Sequence, residues 1–230
     1  MSENPRLTWN SVQARIDACA VCRADRSFET AEPRPCRPPD PKKAGRLLFV
    51  SEAPPITGGF WCVQSGDVLR KNLFDLLGKN IPRSNSSSQS ILAGFLEANF
   101  FLIQAFKWSF AKDESGERLN FNKIGTKKQR ALIDHAVLSH VRDEMLLIAP
   151  KGILAMGNAA LEICRRVSEK PFGLPSGRVE ALREGDYDIV IANRKVPTNV
   201  TYLPVGRNMR NVQRAQRIRS DIEHFLRRHN

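Results

Sequence analysis

The chain has 230 residues, a hydrophobic content of 41% and a formal net charge of +12, which suits one globular domain, with or without an appendage. No apolar run approaches the roughly 20 residues that a membrane-spanning helix needs, and the N-terminus MSENPRLTWN lacks the apolar core of a signal peptide. We therefore expect a cytoplasmic protein. The positive charge favours a polyanionic partner, which is either nucleic acid or an anionic membrane surface.

Residues 1–45 form an N-terminal appendage in our interpretation, and residues 46–230 form the main domain. The appendage contains a predicted short helix from Trp9 to about Ala20, a Cys-x-x-Cys pair and a basic, proline-rich connector from Glu32 to Lys43. No amphipathic terminal segment stands apart from the core, so a nucleic acid is the preferred partner over a membrane.

The appendage carries three cysteines, Cys19, Cys22 and Cys36, spaced C-x2-C-x13-C. In a cytosolic chain a Cys-x-x-Cys pair indicates metal or redox chemistry rather than a structural disulfide. Redox enzymes place this pair directly after a strand, and no strand is predicted before it here. Three thiolates and a histidine can hold zinc tetrahedrally, but here the histidine would have to arrive through the fold. A structural zinc and a metal-free pair are the alternatives. Cys62 and Cys164 lie in apolar contexts and are predicted to be small core residues.

The main domain begins with an apolar run, Leu47–Val50, which predicts a short buried strand. Two prolines, Pro54 and Pro55, force a turn soon after it. The carboxylate of Glu52 therefore follows the carboxyl end of a central strand, where open α/β sheets bind their ligands. An amphipathic helix is predicted from about Asp67 to Leu77.

The rest of the pattern predicts an α/β fold, specifically a three-layer α/β/α sandwich with a mostly parallel, four-stranded central sheet. The four main strands are expected near residues 46–51, 100–107, 151–156 and 199–203. Helices are expected near residues 127–148, 159–167 and 211–228, and two further strands near 178–183 and 188–193. The charged segment 111–130 is predicted to be a surface insertion that offers Lys127, Lys128 and Arg130 to phosphate.

Three short motifs carry a specific resemblance. They are Ser51-Glu52-Ala53-Pro54-Pro55 followed by Trp61 and Ser65-Gly66, the strand FLIQAFKW at 101–108, and Thr201-Tyr202-Leu203-Pro204. Together they resemble motifs of the uracil-DNA glycosylase superfamily, closest to its iron–sulfur-containing branch. A scaffold segment of that superfamily, L-I-x-P-K-V-I-V-x-L-G-x-x-A, is similar to residues 147–160.

The resemblance implies that Glu52 is catalytic, stabilising a sugar cation and activating a water. It implies that Trp61 stacks on an extruded base and that Gln104 reads the edge of that base. Leu203 and Pro55 would complete the base-binding pocket. The segment after the third motif would enter the DNA minor groove, and its DNA-binding candidates are Arg207, Asn208, Met209 and Arg210.

In the iron–sulfur branch, an N-terminal Cys-x-x-Cys supplies two ligands to a [4Fe–4S] cluster. The resemblance places the other two ligands at Trp108 and Val137, and neither residue is a cysteine. We therefore do not expect such a cluster, and the metal candidates stay Cys19, Cys22 and Cys36. No cofactor is expected to take part in the chemistry.

The expected function is that of a monofunctional DNA glycosylase, acting as a monomer on DNA and leaving an abasic site. The amide of Gln104 replaces a family asparagine and can pair with a uracil-type or a cytosine-type edge, depending on its flip. Leu203 replaces a histidine donor, whose loss typically costs about 3–4 kcal/mol of transition-state stabilisation. The target is therefore either uracil or another deaminated base, or a modified pyrimidine such as a hypermodified cytosine excised from phage DNA in defence. A catalytically inactive DNA-binding module of the same fold is the third alternative.

Overall fold

Five strands form the sheet at the centre of this protein. In a computed structural model that describes residues 7–29, 36–55, 58–82, 87–169 and 173–229, they are β1 (Leu47–Ser51), β2 (Phe100–Gln104), β3 (Gly152–Met156), β4 (Tyr187–Ile191) and β5 (Arg194–Thr201). Their order is β2-β1-β3-β5-β4. Strands β2, β1, β3 and β5 run parallel, and β4 pairs antiparallel with β5 at the edge.

Helices cover both faces of this sheet. They are α1 (Trp9–Asp17), α2 (Ala20–Ala24), α3 (Val68–Leu77), α4 (Ser88–Glu97), α5 (Thr126–Ala136), α6 (Arg142–Ile148), α7 (Asn158–Val167), α8 (Val179–Leu182), α9 (Gly206–Arg210) and α10 (Val212–His229). A π-helical turn, Val137–Val141, joins α5 to α6 without a break. The three-layer α/β/α prediction is confirmed, and the sheet has a fifth, antiparallel strand beyond the four parallel ones.

Aromatic and aliphatic side chains fill the two spaces between sheet and helices. All five residues of β1 and of β3 are buried, as expected for inner parallel strands that carry helices on both faces. On one face the ring of Phe49 contacts Phe95 of α4 at 5.7 Å and Phe225 of α10 at 5.8 Å between centroids. On the other face Trp9 of α1 contacts Phe101 at 5.6 Å. Helix α1 is thus part of the same core, while the division at residue 45 stays a prediction.

One predicted strand is wrong. Residues 178–183 contain α8 instead of a strand, because Val179 and Leu182 are both buried and lie three residues apart on one helical face. The side chain of Asn158 accepts the Val179 N–H at 3.2 Å, which caps the start of this helix. The predicted connector partly lies outside the described residues, since 30–35 are not among them.

A buried polar network ties the N-terminal helix to the end of β2. Lys107 and Glu144 form an ion pair with side chains 2% and 0% exposed. The second oxygen of Glu144 accepts a hydrogen bond from Gln13 of α1 at 3.0 Å, and the Lys107 ammonium also donates to the Gln104 carbonyl at 2.6 Å. The network therefore fixes the last residue of β2 to two helices on one face.

The end of β5 is held in a similar way. Asp221 of α10 accepts the Thr201 hydroxyl at 2.7 Å and the guanidinium of Arg183 at 2.8 Å. These contacts determine where the chain leaves β5 and enters the loop that contains Leu203. In the part of the chain that the structure describes, no helix combines the length and the apolar character required to cross a membrane.

We expect Lys107→Met to lower the free energy of unfolding by about 3–5 kcal/mol, because the Glu144 carboxylate stays buried without its charge partner. The double variant Lys107→Met/Glu144→Leu should lose less free energy of unfolding than Lys107→Met, since neither charge of the pair then remains buried. Urea unfolding followed by circular dichroism measures both losses. The control is Lys112→Met at an exposed position, and its free energy of unfolding should stay within about 0.5 kcal/mol of that of the parent. A double variant less stable than Lys107→Met would contradict the expectation.

Candidate active site

Glu52 and Gln104 come from adjacent parallel strands. The register pairs Ser51 with Gln104, so Glu52 lies directly after the carboxyl end of β1 and Gln104 is the last residue of β2. Two backbone hydrogen bonds continue the pairing past the strands, from the Ala105 N–H to Ser51 O and from the Phe106 N–H to Glu52 O, each 2.8 Å. The acid and the amide are therefore held at one edge of the sheet by main-chain bonds.

The Glu52 carboxylate is largely enclosed by protein. Its Oε1 accepts a hydrogen bond from the backbone N–H of Phe121 at 2.8 Å, and among the described residues no donor reaches Oε2. Burial raises the pKa of Glu52 above its ordinary value of 4.5, and the hydrogen bond from Phe121 offsets only part of this. One oxygen is thus held in place while the other can accept a proton.

A cavity of about 400 Å³ opens at this edge of the sheet. Its wall contains the predicted residues Glu52, Gln104, Leu203 and Pro55. It also contains residues that the sequence did not single out as site residues, which are Asp67, Phe110, Arg118 and Asn120. Apolar side chains and a few polar groups are the usual lining of a small-ligand site. The structure therefore brings four of the five predicted catalytic and base-binding residues together.

The Gln104 amide lies close to the loop that carries Gly59. A Cβ added to Gly59 would lie 3.2 Å from Gln104 Nε2 and 2.9 Å from Pro54 Cβ. Gly59 also has a φ of +76°, a conformation that non-glycine residues rarely adopt. Within the described part of the chain, no hydrogen bond engages the Gln104 side-chain amide, so both its oxygen and its nitrogen are available to a ligand.

Trp61 does not line this cavity, and the expectation that it stacks on a ligand there is wrong. It is 9% exposed, and its indole N–H donates to the carbonyl of Leu102 at 3.0 Å. Because β2 is an edge strand, this carbonyl needs a partner from outside the sheet. The ring also packs against Phe101 at 5.1 Å between centroids. The indole therefore closes the edge of the sheet and belongs to the core.

Buried Arg70 of α3 keeps the loop around Trp61 in this position. Its guanidinium donates to the carbonyls of Phe60 at 2.9 Å and Cys62 at 2.8 Å, and to the carbonyl of Ser65. Asp67 caps the same helix by accepting the Arg70 backbone N–H at 2.6 Å. The Asp67 carboxylate in the cavity wall thus has a structural partner, and burial raises its pKa.

Phe110 is the aromatic ring in the cavity wall. It is 4% exposed and stacks on Phe28 at 5.2 Å between centroids, with Phe106 edge-on at 5.4 Å. Phe28 belongs to the segment after α2, and this segment pairs with the chain around Phe110 through bonds from Glu29 N–H to Ser109 O and from Ala111 N–H to Ser27 O, each 2.8 Å. No local sequence signal marks Phe110, because its position depends on this pairing across about 80 residues.

The loop after β5 also borders the cavity. Leu203 and Val205 line it, and Asn72 of α3 holds the loop by donating to the Pro204 carbonyl at 2.8 Å. Asn208 donates to the Leu203 carbonyl at 2.9 Å and accepts from Arg214 at 3.2 Å.

The predicted DNA-binding residues lie on α9, next to this loop. Arg207 and Arg210 are exposed there. Asn208 and Met209 are half-buried; the amide of Asn208 is engaged within the protein, and Met209 packs against the core. Of the four candidates, the two arginines are therefore the ones that present their side chains to a partner.

A cluster of four potential metal ligands lies between the chain before Phe28 and the α5–α6 helix. It consists of Cys19, Cys22, His135 and His140, whose ligand atoms all lie within 4.8 Å of one another. Cys36 does not belong to it, so the predicted set of three cysteines is wrong. Cys36 instead forms a disulfide with Cys62, with a Cα–Cα distance of 5.2 Å. Cys62 is therefore a cross-linked residue, whereas Cys164 is a buried free cysteine as predicted.

The cluster does not fit a four-thiolate iron–sulfur centre. Two of its donors are imidazoles, and the two positions where the resemblance would place cysteines hold buried Trp108 and Val137. The Trp108 ring lies 6.2 Å from the ring of His140 between centroids. Val137 begins the π turn that carries His140.

No protein-family model matches the chain, and no curated protein matches it significantly.

We expect Gly59→Ala to destabilise the fold more than Gly45→Ala. Both glycines have a φ of +76°, but an added Cβ at Gly45 meets nothing within 4 Å, whereas at Gly59 it meets Pro54 and Gln104. Gly45→Ala should cost only the left-handed backbone, about 1–2 kcal/mol, and Gly59→Ala should cost that plus the displacement of the cavity wall. Denaturant unfolding of the two variants measures the difference, and equal losses would show that the Gly59 contact is not tight.

Proposed function

We propose that this protein is a DNA N-glycosylase that takes a flipped base into the cavity and hydrolyses its bond to the sugar. The observation that carries the proposal is the convergence of the Glu52 carboxylate and the Gln104 amide on one cavity, at the ends of two paired parallel strands. A carboxylate and an amide are the groups that such a reaction needs, one to activate water and one to hold the base.

The proposed recognition of the base follows from the cavity wall. The base lies against the ring of Phe110, which takes over the stacking role expected of Trp61. The free amide of Gln104 pairs with the base edge through one acceptor and two donors. Leu203 and Val205 provide apolar contact on the far side. The cavity of about 400 Å³ is at the smaller end of the range for small-molecule sites, which starts at roughly 300 Å³.

In the proposed reaction, the bond between C1′ of the sugar and the ring nitrogen breaks and leaves its electron pair on the base. Positive charge develops on the sugar, and the ionised Glu52 stabilises it. A water oxygen then forms a bond to C1′, and Glu52 accepts the proton that this water loses. Because Phe121 fixes Oε1, Oε2 is the oxygen that takes this proton.

A free abasic site is the expected product. The ammonium of Lys107 is held by Glu144 and by the Gln104 carbonyl in the interior, and no lysine occurs among the described residues that line the cavity. A covalent amine intermediate is therefore not part of the proposal, and the enzyme would be monofunctional.

Two features bear on the class of base. Leu203 presents an apolar group to the cavity where the resemblance expects a donor toward the base, and Arg118 and Asn120 add polar groups to the same wall. Both favour a pyrimidine with a substituent, such as a modified cytosine, over plain uracil. Uracil and other deaminated bases stay the second candidate, since the Gln104 amide can pair with either type of edge.

DNA would approach the protein over its basic surface. Arg118 lies at the cavity, and Arg207 and Arg210 are exposed on α9 beside the Leu203 loop. A second, neighbouring cavity of about 690 Å³ has four arginines in its wall, Arg130, Arg165, Arg166 and Arg178. Two of them form ion pairs within this wall, Arg165 with Glu162 and Arg166 with Asp134. With a net charge of +12, these groups suit nonspecific binding of the phosphate backbone.

Glu52→Gln should abolish base release while DNA binding persists. The test incubates parent and variant with duplex and single-stranded DNA that contains uracil, hypoxanthine or modified cytosines, and it detects abasic sites by alkaline cleavage. The melting temperature of the variant at pH 7 should not fall, because burial already disfavours the ionised form of Glu52. Binding without cleavage by the parent on every substrate would favour the inactive DNA-binding module.

The pH dependence of the parent enzyme should report the same group. Glu52 must be ionised to act and burial raises its pKa, so kcat/KM should fall with decreasing pH at a midpoint above the ordinary 4.5. The control is Asp67→Asn, which keeps a good helix cap and removes the other carboxylate in the wall. In Asp67→Asn, kcat/KM should still fall with decreasing pH as in the parent. If this fall disappears in Asp67→Asn, the base is Asp67 instead of Glu52.

Substitution of two aromatic residues separates the two stacking assignments. Phe110→Leu should lower kcat/KM by about tenfold or more, since stacking on an aromatic side chain contributes about 1–3 kcal/mol per base. Trp61→Phe should lose stability through the hydrogen bond to Leu102 but should keep kcat/KM within about twofold. The reverse result would return the stacking role to Trp61.

A further inference from the structure

We propose that Cys19, Cys22, His135 and His140 bind one structural Zn²⁺ that anchors the N-terminal segment behind the cavity wall. Cys19 Sγ lies 3.1 Å from His135 Nε2, and Cys22 Sγ lies 3.6 Å from His140 Nε2. Zinc bonds of about 2.3 Å to sulfur and about 2.0 Å to nitrogen give tetrahedral S···N separations of about 3.5 Å. The four donors are thus spaced for a single ion with small adjustments.

The local backbone presents these donors in pairs. Cys19 caps α2 and Cys22 lies within it, so the two thiols are three residues apart on one side of a helical turn. His135 and His140 are five residues apart, which in a regular α-helix would separate them by about 140° around the axis. The π turn from Val137 to Val141 reduces this offset, because its hydrogen bonds connect residues five apart and it has more residues per turn than an α-helix.

The orientation of the first histidine is also fixed. Ser139 Oγ lies 3.3 Å from His135 Nδ1, so with the proton on Nδ1 the ring donates to Ser139 and directs Nε2 toward Cys19. A second hydrogen bond of this kind is typical of histidines that bind metals. Burial is consistent with a structural site, since Cys22 and His140 are buried and Cys19 and His135 are half-buried.

The donor set points to zinc rather than to an iron–sulfur centre. Two thiolates and two imidazoles in a tetrahedral arrangement are a common structural zinc site, and the spacings C-x2-C and H-x4-H fall in its usual range. A two-iron cluster would need its cysteine pair and its histidine pair further apart than the sulfur–nitrogen distance of 3.1 Å allows.

The position of the site suggests what the ion does. Residues 27–29 lie five to seven positions after Cys22. They pair with residues 109–111 and place Phe28 against Phe110. Asp25 of the same segment pairs with Lys128 of α5 at 3.0 Å. A zinc ion between α2 and the α5–α6 helix would therefore keep the Phe110 wall in place without taking part in any reaction.

The first test is metal analysis of the full-length protein by mass spectrometry, with iron and acid-labile sulfide measured alongside. One zinc per chain and no sulfide is the expected result. After chelation and dialysis, Co²⁺ should give the visible absorption bands of a tetrahedral thiolate site. Absence of Zn²⁺ and Co²⁺ binding, or iron with stoichiometric sulfide, would overturn the proposal.

Matched variants locate the site within the chain. His135→Ala should weaken Co²⁺ binding at least tenfold and change the Co²⁺ absorption spectrum. The control is His224→Ala, since His224 lies on α10 and pairs with Asp186, and this variant should change neither. Cys19→Ala and Cys164→Ala form the corresponding pair for the thiols. Equal metal binding by both members of either pair would place the metal elsewhere and overturn the assignment.

Hydrogen exchange of the parent protein tests the anchoring role without any variant. Removal of the metal should accelerate exchange of the Glu29 and Ala111 amides by about tenfold or more, because both bond across the segment that the ion holds. Exchange of strand β3 should change little. If the two amides exchange at the same rate with and without metal, the ion does not support the cavity wall.

Discussion

The parallel pairing of β1 with β2 is the constraint on which the candidate site depends. Its register sets Ser51 beside Gln104, and two main-chain hydrogen bonds extend it to Glu52 and Phe106. Backbone bonds of this kind allow little relative movement, so an acid and an amide about fifty residues apart in the chain keep a fixed separation. The buried ammonium of Lys107 adds to this, since it donates a hydrogen bond to the carbonyl of Gln104.

The remainder of the cavity comes from segments outside the sheet. The 111–130 segment, which looks like a surface insertion in the sequence, supplies the N–H that holds Glu52 and the residues Arg118 and Asn120. Phe110 is supported by Phe28 from the N-terminal segment. The segment after α1 thus contacts the domain through the Phe28 ring, through the Asp25–Lys128 ion pair and through the cysteine–histidine cluster, and the proposed zinc would strengthen the last of these contacts.

The same fold explains why Trp61 and Gln104 have different positions relative to the cavity, although both lie in the short motifs singled out in the sequence. Gln104 ends a strand, so its side chain leaves the sheet at the ligand-binding edge. Trp61 lies in a loop that must cover the exposed edge of β2, and the carbonyl of Leu102 needs a donor there. An unsatisfied buried carbonyl costs about 1–3 kcal/mol, which favours the indole in this structural position over a free face in the cavity.

The sequence alone determined the parallel strands, most of the helices and the position of Glu52 after β1, because these follow from local periodicity and from a turn that directly follows a strand. Gln104, Pro55 and Leu203 were indicated only by the motif resemblance. Tertiary structure alone decided the roles of Trp61 and Phe110, the Cys36–Cys62 pairing and the histidines that join the cysteine pair. It also made a helix of residues 178–183. Each of these depends on groups that are distant in the chain and on which polar atoms remain to be satisfied when the layers pack, and no local pattern carries that information.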